Sequence, residues 1–279
     1  VVNNKILFNI NSKSTLTMGI LNLTPDSFYD GNKNNSFASI NKQYKLIENA
    51  DIIDIGAESS RPGAEPITSD EEIERLKVLN DINIEHKFLS IDSYKPSVLE
   101  YCLQNNFKMI NDITGGGTNY VNIEIANNYN VPICIMHMQG NPRNMQESPK
   151  YDNLIDNLIC FFESRISHCT KIGFNLNKLI IDPGIGFGKT IEDNFSIIHN
   201  LYKFKKLGCK ILIGLSRKSF LEINNDKPKD RLISSISMQV ISILNGVDIV
   251  RTHDVDETIK SIQIINKYSM KNGNSRISK

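Results

Sequence analysis

The segment LIIDPGIGFGKTIED, Leu179–Asp193, places an apolar run before glycines, a Lys-Thr pair and a helical pattern, which is the order of a phosphate-binding loop. Such a loop requires G-x-x-x-x-G-K-[ST], because its backbone N–H groups wrap a phosphate before the lysine reaches it. Counting back from Gly188 puts Pro183 where the first glycine belongs, and Gly184 comes one residue late. Proline has no N–H to donate. The segment is therefore not a nucleotide cradle, and Asp182 with its following glycines serves another chemistry.

The same device, a polar residue at the end of a β-branched run, recurs along the chain. LTMGILNLT carries Asn22, DIIDIG leads to Glu58, KFLSIDS carries Asp92, and KMINDIT carries Asn111 and Asp112. PICIMHM carries His137, KLIIDPG carries Asp182, KILIGLS leads to Ser216-Arg217-Lys218, and VDIVRTHD carries Arg251 and His253. Singly, each is a helix cap or turn former; their convergence on one rim would make a site. Asp92, Asn111 and Asp182 are acceptors suited to a neutral, nitrogen-rich ring with adjacent N–H donors. Arg61, Lys218, Arg251 and His253 form a cationic group suited to a phosphate or pyrophosphate. A metal-dependent hydrolase built on His137, His253, Asp92 and Asp182 is the competing chemistry. Such sites use a pair of histidines on one strand, and no H-x-H occurs here.

Eight β-branched runs recur every 30–35 residues or so, separated by amphipathic segments such as SDEEIERLKVL, YDNLIDNLICFFESRI and DNFSIIHNLYKF. Strands buried on both faces and alternating with helices are the mark of parallel βαβ units. Eight of them predict a (β/α)₈ TIM barrel, an α/β fold whose usual length is about 250 residues. An open doubly wound sheet is the alternative, and it rarely uses eight evenly spaced parallel strands. The expected organisation is a single domain with its core at about 15–270, a short N-terminal β-hairpin before Thr15 and a frayed polar end. In such a barrel the rim in question is the face carrying the C-terminal ends of the strands.

The 279 residues, 40% apolar, suffice for one large core, and a net charge of +1 gives no global field toward nucleic acid or an anionic membrane. No apolar run nears the roughly 20 residues that span a bilayer. The opening VVNNKILFNI lacks both a methionine and the pattern of a secretory signal, as expected of a piece of something longer. Five scattered cysteines without C-x-x-C spacing point to reduced thiols in a cytoplasmic protein. Cys134, Phe161 and Phe162 read as packing residues, His168 and His199 as solvated or paired, and Lys189-Thr190 as the opening of a helix.

Seven blocks, MGILNLTPDSFYDG (18–31), DIIDIGAESSRPGA (51–64), INDITGG (110–116), MHMQGNPRNMQ (136–146), IIDPGIGFGKT (180–190), GLSRKSF (214–220) and RTHDV (251–255), together resemble the dihydropteroate synthase family, in its order and over nearly the whole chain. The resemblance implies a transferase that condenses 6-hydroxymethyl-7,8-dihydropterin diphosphate with 4-aminobenzoate. The products would be 7,8-dihydropteroate and pyrophosphate, with Mg²⁺ assisting and sulfonamides mimicking the aminobenzoate. It further implies that Asp92, Asn111, Ile113, Met136, Asp182, Gly214 and Lys218 hold the pterin. Asn22, Arg61, Arg251 and His253 would meet the pyrophosphate, with Asn22 at the metal. Ser60, Arg61, Pro62, Phe187, Lys218 and Ser219 would line the aminobenzoate slot. The family usually dimerises through helices on one side of the barrel.

In the implied reaction the pyrophosphate must leave easily, because an arylamine is a weak nucleophile. Cations stabilise the charge growing on it, while the electron-rich pterin delocalises the positive charge left behind, an SN1-like path. Two loops, NLTPDSFYDG and SSRPG, would close over it and exclude water. Asp26 would steady that cation or serve as an Asx-turn or cap after Pro25. The catalytic set so implied is Asn22, Asp26, Lys218, Arg251 and His253. The chain departs from the family at Ser60, usually Thr, a change that touches the aminobenzoate edge, at Ala57, usually Gly, and at Ser93-Tyr94. A pterin-barrel methyltransferase and a silent pterin-binding scaffold are the rival readings. With acids and cations in separate halves, Arg251→Ala should weaken diphosphate binding and spare free pterin.

Overall fold

The computed structural model describes residues 14–23, 33–59, 65–82, 84 and 87–271. Eight strands follow one another in the order of the chain: β1 Leu16–Asn22, β2 Ile52–Gly56, β3 Leu89–Asp92, β4 Met109–Asp112, β5 Ile133–Met136, β6 Leu179–Asp182, β7 Lys210–Gly214 and β8 Ile249–Thr252. Each pairs in parallel with the next, and β8 closes on β1 through Leu16↔Ile249, so the sheet is a closed (β/α)₈ TIM barrel as expected. The helices are α1 Lys33–Ile47, α2 Ser69–Leu76, α3 Pro96–Gln104, α4 Val121–Asn128, α5 Leu154–Lys171, α6 Ile191–His199, α7 Leu201–Phe204, α8 Leu232–Leu244 and α9 Val255–Lys271. The hairpin expected before Thr15 lies outside the described residues.

Local chemistry sets the helix starts. The Thr68 side chain accepts from Glu71 N and precedes three acids in the first turn of α2, which suit the positive end of the helix dipole. Thr190 and Asp193 form a reciprocal capping box at α6. DNFSIIHNLYKF, expected as one helix, breaks at Asn200 into α6 and α7. The Asn200 amide donates to Ser196 O at 2.8 Å, and such side-chain bonding to a nearby carbonyl competes with helix propagation. No helix among the described residues is long and apolar enough to cross a membrane.

The barrel interior is layered by the two-residue period of a strand. Met18, Ile52, Met109, Cys134, Ile180, Leu212 and Ile249 make a buried apolar layer inside the strands, separate from the larger core beneath the helices. Adding two to each number gives Ile20, Asp54, Asn111, Met136, Asp182, Gly214 and Arg251, with Asp92 two beyond the buried Ser90. The interior thus changes from hydrocarbon to charge within one step along the strands. Cys134 is the small core residue expected.

Candidate active site

The polar layer is wired together by short bonds. Asn111 Nδ2 donates to Asp54 Oδ2 at 2.9 Å, and Arg251 Nε donates to the same oxygen at 2.6 Å. Arg251 Nη2 donates to Asp92 Oδ2 at 2.6 Å. Asp92 and Asn111 are register partners across β3 and β4, and Met136 and Asp182 across β5 and β6. Gly214 on β7 pairs with Arg251 on β8. Asp182 closes the ring electrostatically, with the Lys218 and Arg251 charges both acting on it.

One buried acceptor atom in this layer points at nothing. Asp54 Oδ1 is buried and has no hydrogen-bond partner among the described residues. Asp182 uses Oδ1 on the backbone N–H of Gly184 at 2.7 Å. Burial pushes the Asp182 carboxyl up, against the opposing pull of Lys218. It also drives Asp92 up to about 7 although Arg251 pulls it down, and Asp54 adds repulsion. Burial works against the Arg251 cation as well, yet Asp54 and Asp92 hold its pKa above the ordinary arginine value. A buried acceptor without a donor costs about 1–3 kcal/mol, so the layer is poised for a ligand that brings N–H groups.

Asp54 is absent from the candidates drawn from the sequence, which were sought at strand ends. It sits in the middle of β2, and the signal that finds it is alternation: Ile52, Asp54 and Gly56 occupy every second position. Asp112, by contrast, turns away from Asn111. Its carboxylate accepts from Thr114 N, Thr114 Oγ1, Gly116 N and Asn122 Nδ2 at 2.6–3.1 Å, folding the Gly115–Gly117 turn. Glu58 is likewise occupied, accepting from Tyr94 Oη at 2.9 Å and Ile67 N at 3.0 Å and pairing with Lys95.

Arg251 does not stand apart from the acids as expected. Arg251 lies inside the acid layer, because the two-residue period that turns Asp182 inward on β6 also turns Arg251 inward on β8. The two halves read from the sequence are therefore joined at this residue. Arg217 is held by Asp254 through Nη2 at 2.5 Å and Nε at 3.2 Å. Lys218 is part-buried, donates to Ile185 O, and sits 4.6 Å from the centre of the Phe187 ring. Burial lowers its pKa to about 8, although Asp182 pulls it upward. Ile113 and Met136 are buried, Ser219 is exposed, and Asn22 and His253 are half-buried. Asn22 ends β1, and His253 follows β8 with its N–H on Ser216 Oγ at 3.3 Å. Asp26, Ser60, Arg61 and Pro62 lie outside the described residues.

The loop after β6 explains the glycines of the opening segment. Gly184 has φ +74, and a Cβ there would stand 1.9 Å from the carbonyl oxygen of His137. Gly184→Ala is expected to cost about 2–4 kcal/mol, combining left-handed strain with overpacking. Chemical denaturation checks this, and a change below about 0.5 kcal/mol, the range of ordinary surface substitutions, would contradict the close approach. Lys189 does more than open a helix: it is 3% exposed, a buried cation behind the site.

Known proteins resemble this chain in sequence and architecture. A family model described as pterin binding enzyme matches residues 18–253. The dihydropteroate synthase of Escherichia coli strain K12 is 39% identical over 254 residues, covering 89% of each chain. A crystal structure of the Yersinia pestis dihydropteroate synthase with a sulfonamide drug complex superposes with a TM-score of 0.84 at 34% identity, covering 97% of this chain and 99% of that one. The Burkholderia cenocepacia dihydropteroate synthase complexed with 7,8-dihydropteroate matches at TM-score 0.78 and 32% identity, over 92% of each chain.

Proposed function

The chain belongs to the pterin-binding enzyme family, and on that basis we infer that it catalyses the dihydropteroate synthase reaction. It is a transferase of folate biosynthesis that joins 6-hydroxymethyl-7,8-dihydropterin diphosphate to 4-aminobenzoate, giving 7,8-dihydropteroate and pyrophosphate. The observation that carries this reading is the polar layer on its apolar floor, with a buried Asp54 oxygen left open. A flat ring edged with N–H donors satisfies such acceptors where water would have to be confined.

In this proposal Asp92, Asn111 and Asp182 grip the pterin edge, between Ile113, Met136 and the open floor at Gly214. Asp54 joins them as the acceptor that aims both Asn111 and Arg251. Lys218 lies between the acid of β6 and the Phe187 ring, so it serves the pterin and the aminobenzoate slot completed by Ser60, Arg61, Pro62 and Ser219. Asn22, Arg61, Arg251 and His253 face the leaving pyrophosphate and stabilise the charge growing on it. Asp26 steadies the cationic pterin methylene or shapes its loop.

Asn22 offers one neutral amide oxygen at the end of β1, and no group of three His, Cys, Asp or Glu able to hold a metal occurs among the described residues. That donor set fits Mg²⁺, which keeps several waters and leans on substrate phosphates with one or two protein ligands. Mg²⁺ bound there would supply charge neutralisation on the pyrophosphate. Sulfonamides would compete at the aminobenzoate slot. Ile233, Ile241 and Leu244 on α8 and Ile264 and Tyr268 on α9 are exposed, Ile233 at 80%, which supports a homodimer through that side. The remaining proposals are a cytoplasmic location and a single domain spanning residues 1–279.

The purified chain, given the pterin diphosphate and Mg²⁺, is expected to release pyrophosphate only when aminobenzoate is added. A pterin-barrel methyltransferase or a silent scaffold would release none, and that outcome would reject the reading. Protonated Lys218 is the form that meets an anion, and its pKa near 8 is reached from above by burial. Aminobenzoate affinity is therefore expected to be full below that pH and to fall as pH rises through it. Calorimetry from pH 6.5 to 9.5 checks this; a profile as steep in Lys218→Met as in the wild type would assign the titration elsewhere.

A further inference from the structure

Behind the site runs a seam where the loop after β5 meets the loop after β6. Gly188, at φ +63, leaves no room for a Cβ, which would stand 2.7 Å from Gln139 O. Beside it the Lys189 side chain turns inward. Its Nζ lies 2.9 Å from Phe187 O, 3.3 Å from His137 O and 3.2 Å from His137 Nδ1. An ammonium has three protons and no acceptor capacity, and three acceptors meet it here.

No carboxylate lies within hydrogen-bond reach of this cation among the described residues. The charges that act on it are Asp182 and Asp193, which favour the ammonium, and Lys218, which opposes it; Arg165 also acts on the His137 ring. Burial lowers Lys189 to about 7 and His137 to about 3, so the imidazole is neutral and Nδ1 can accept. A buried cation without an acid partner is costly, and an apolar side chain of the same length would fill the space. What an apolar chain could not do is draw two carbonyl oxygens and a ring nitrogen to one point. One of those carbonyls belongs to Phe187, whose ring lies beneath Lys218.

We propose that Lys189 is a positioning residue for the second-substrate slot, pinning the Phe187 backbone to His137 so that the Phe187 ring is set opposite Lys218. The inference rests on the functional reading above. It places Lys189 outside the pterin pocket and outside the pyrophosphate's reach, acting through Phe187.

Steady-state kinetics on the full chain, with the pterin diphosphate saturating, separate this role from a merely structural one. Lys189→Met is expected to raise KM for aminobenzoate at least about 10-fold while kcat, and calorimetric affinity for the pterin diphosphate, stay within about 3-fold. His137→Asn keeps an acceptor near the place of Nδ1 and is expected to stay within about 3-fold of the wild-type KM. His137→Leu keeps apolar bulk against Phe161, whose ring meets the imidazole edge-on at 4.8 Å, yet offers no acceptor. It is expected to raise KM about 5-fold or more. A role in packing alone predicts the reverse order for the two His137 variants, so this pair decides the matter even if Lys189→Met does not fold. An unchanged aminobenzoate KM in Lys189→Met, equal losses for both substrates, or His137→Leu matching His137→Asn would overturn the proposal. Absence of turnover in the wild type would instead overturn the functional reading on which it depends.

Discussion

Asp182→Ala is expected to weaken binding of the pterin diphosphate by roughly 10²–10⁴-fold while the barrel stays folded. A carboxylate accepting two ring N–H groups makes two charge-assisted hydrogen bonds, each worth about 1.5–3 kcal/mol; their loss converts to that range of affinity. The fold survives because the Asp182 side chain has one hydrogen bond of its own among the described residues, to Gly184 N, and ends its strand in the polar layer. Calorimetry with the pterin diphosphate and thermal unfolding read the two quantities separately. A variant that binds normally would show that the ring does not rest on β6.

Arg251→Ala is expected to be damaging in a different way, destabilising the protein by about 3–5 kcal/mol besides removing turnover. Arg251 bridges Asp54, which is fully buried, and Asp92, so the truncation strands two carboxylates without a counter-ion. The loss should depend on pH in a defined sense. Without the guanidinium the folded-state pKa of Asp92, already driven by burial to about 7, rises further above the unfolded value of about 4. Protonation of Asp92 then favours the folded state, so the stability deficit is smallest at low pH and grows as pH rises through its folded pKa. Urea denaturation at pH 5 and pH 8 should show a larger deficit at pH 8, and an equal deficit at both would mean that the acids are not what the arginine holds. The geometry also reverses the expectation that free pterin affinity is spared: Arg251 fixes Asp92, an acid proposed to hold the ring, so both ligands should suffer.

The barrel was legible because its physics is local. Eight β-branched runs buried on both faces alternate with amphipathic segments, and each polar residue at a strand end declares which end faces the site. Asn111 and Asp182 needed nothing more than that. Asp54 escaped because a carboxylate inside an apolar strand matters through alternation with Ile52 and Gly56, not through position at an end. Arg251 was placed with the cations by its charge; its two acids lie 197 and 159 residues away in sequence and no local pattern links them. Lys189 reads from the sequence only as the opening of a helix, since burial of a lysine is decided by the loop folded over it. The Asn200 break shows the same limit on a smaller scale: the apolar period runs through a residue whose side-chain amide bonds the Ser196 carbonyl where α6 ends.

The most direct measurement is a crystal structure of the chain soaked with the pterin diphosphate. The polar layer predicts ring N–H groups on the Asp92 and Asp182 carboxylates, with Asn111 at the same edge and the diphosphate directed toward Asn22 and His253. A ring seated elsewhere, with those carboxylates still facing only protein and solvent, would contradict it.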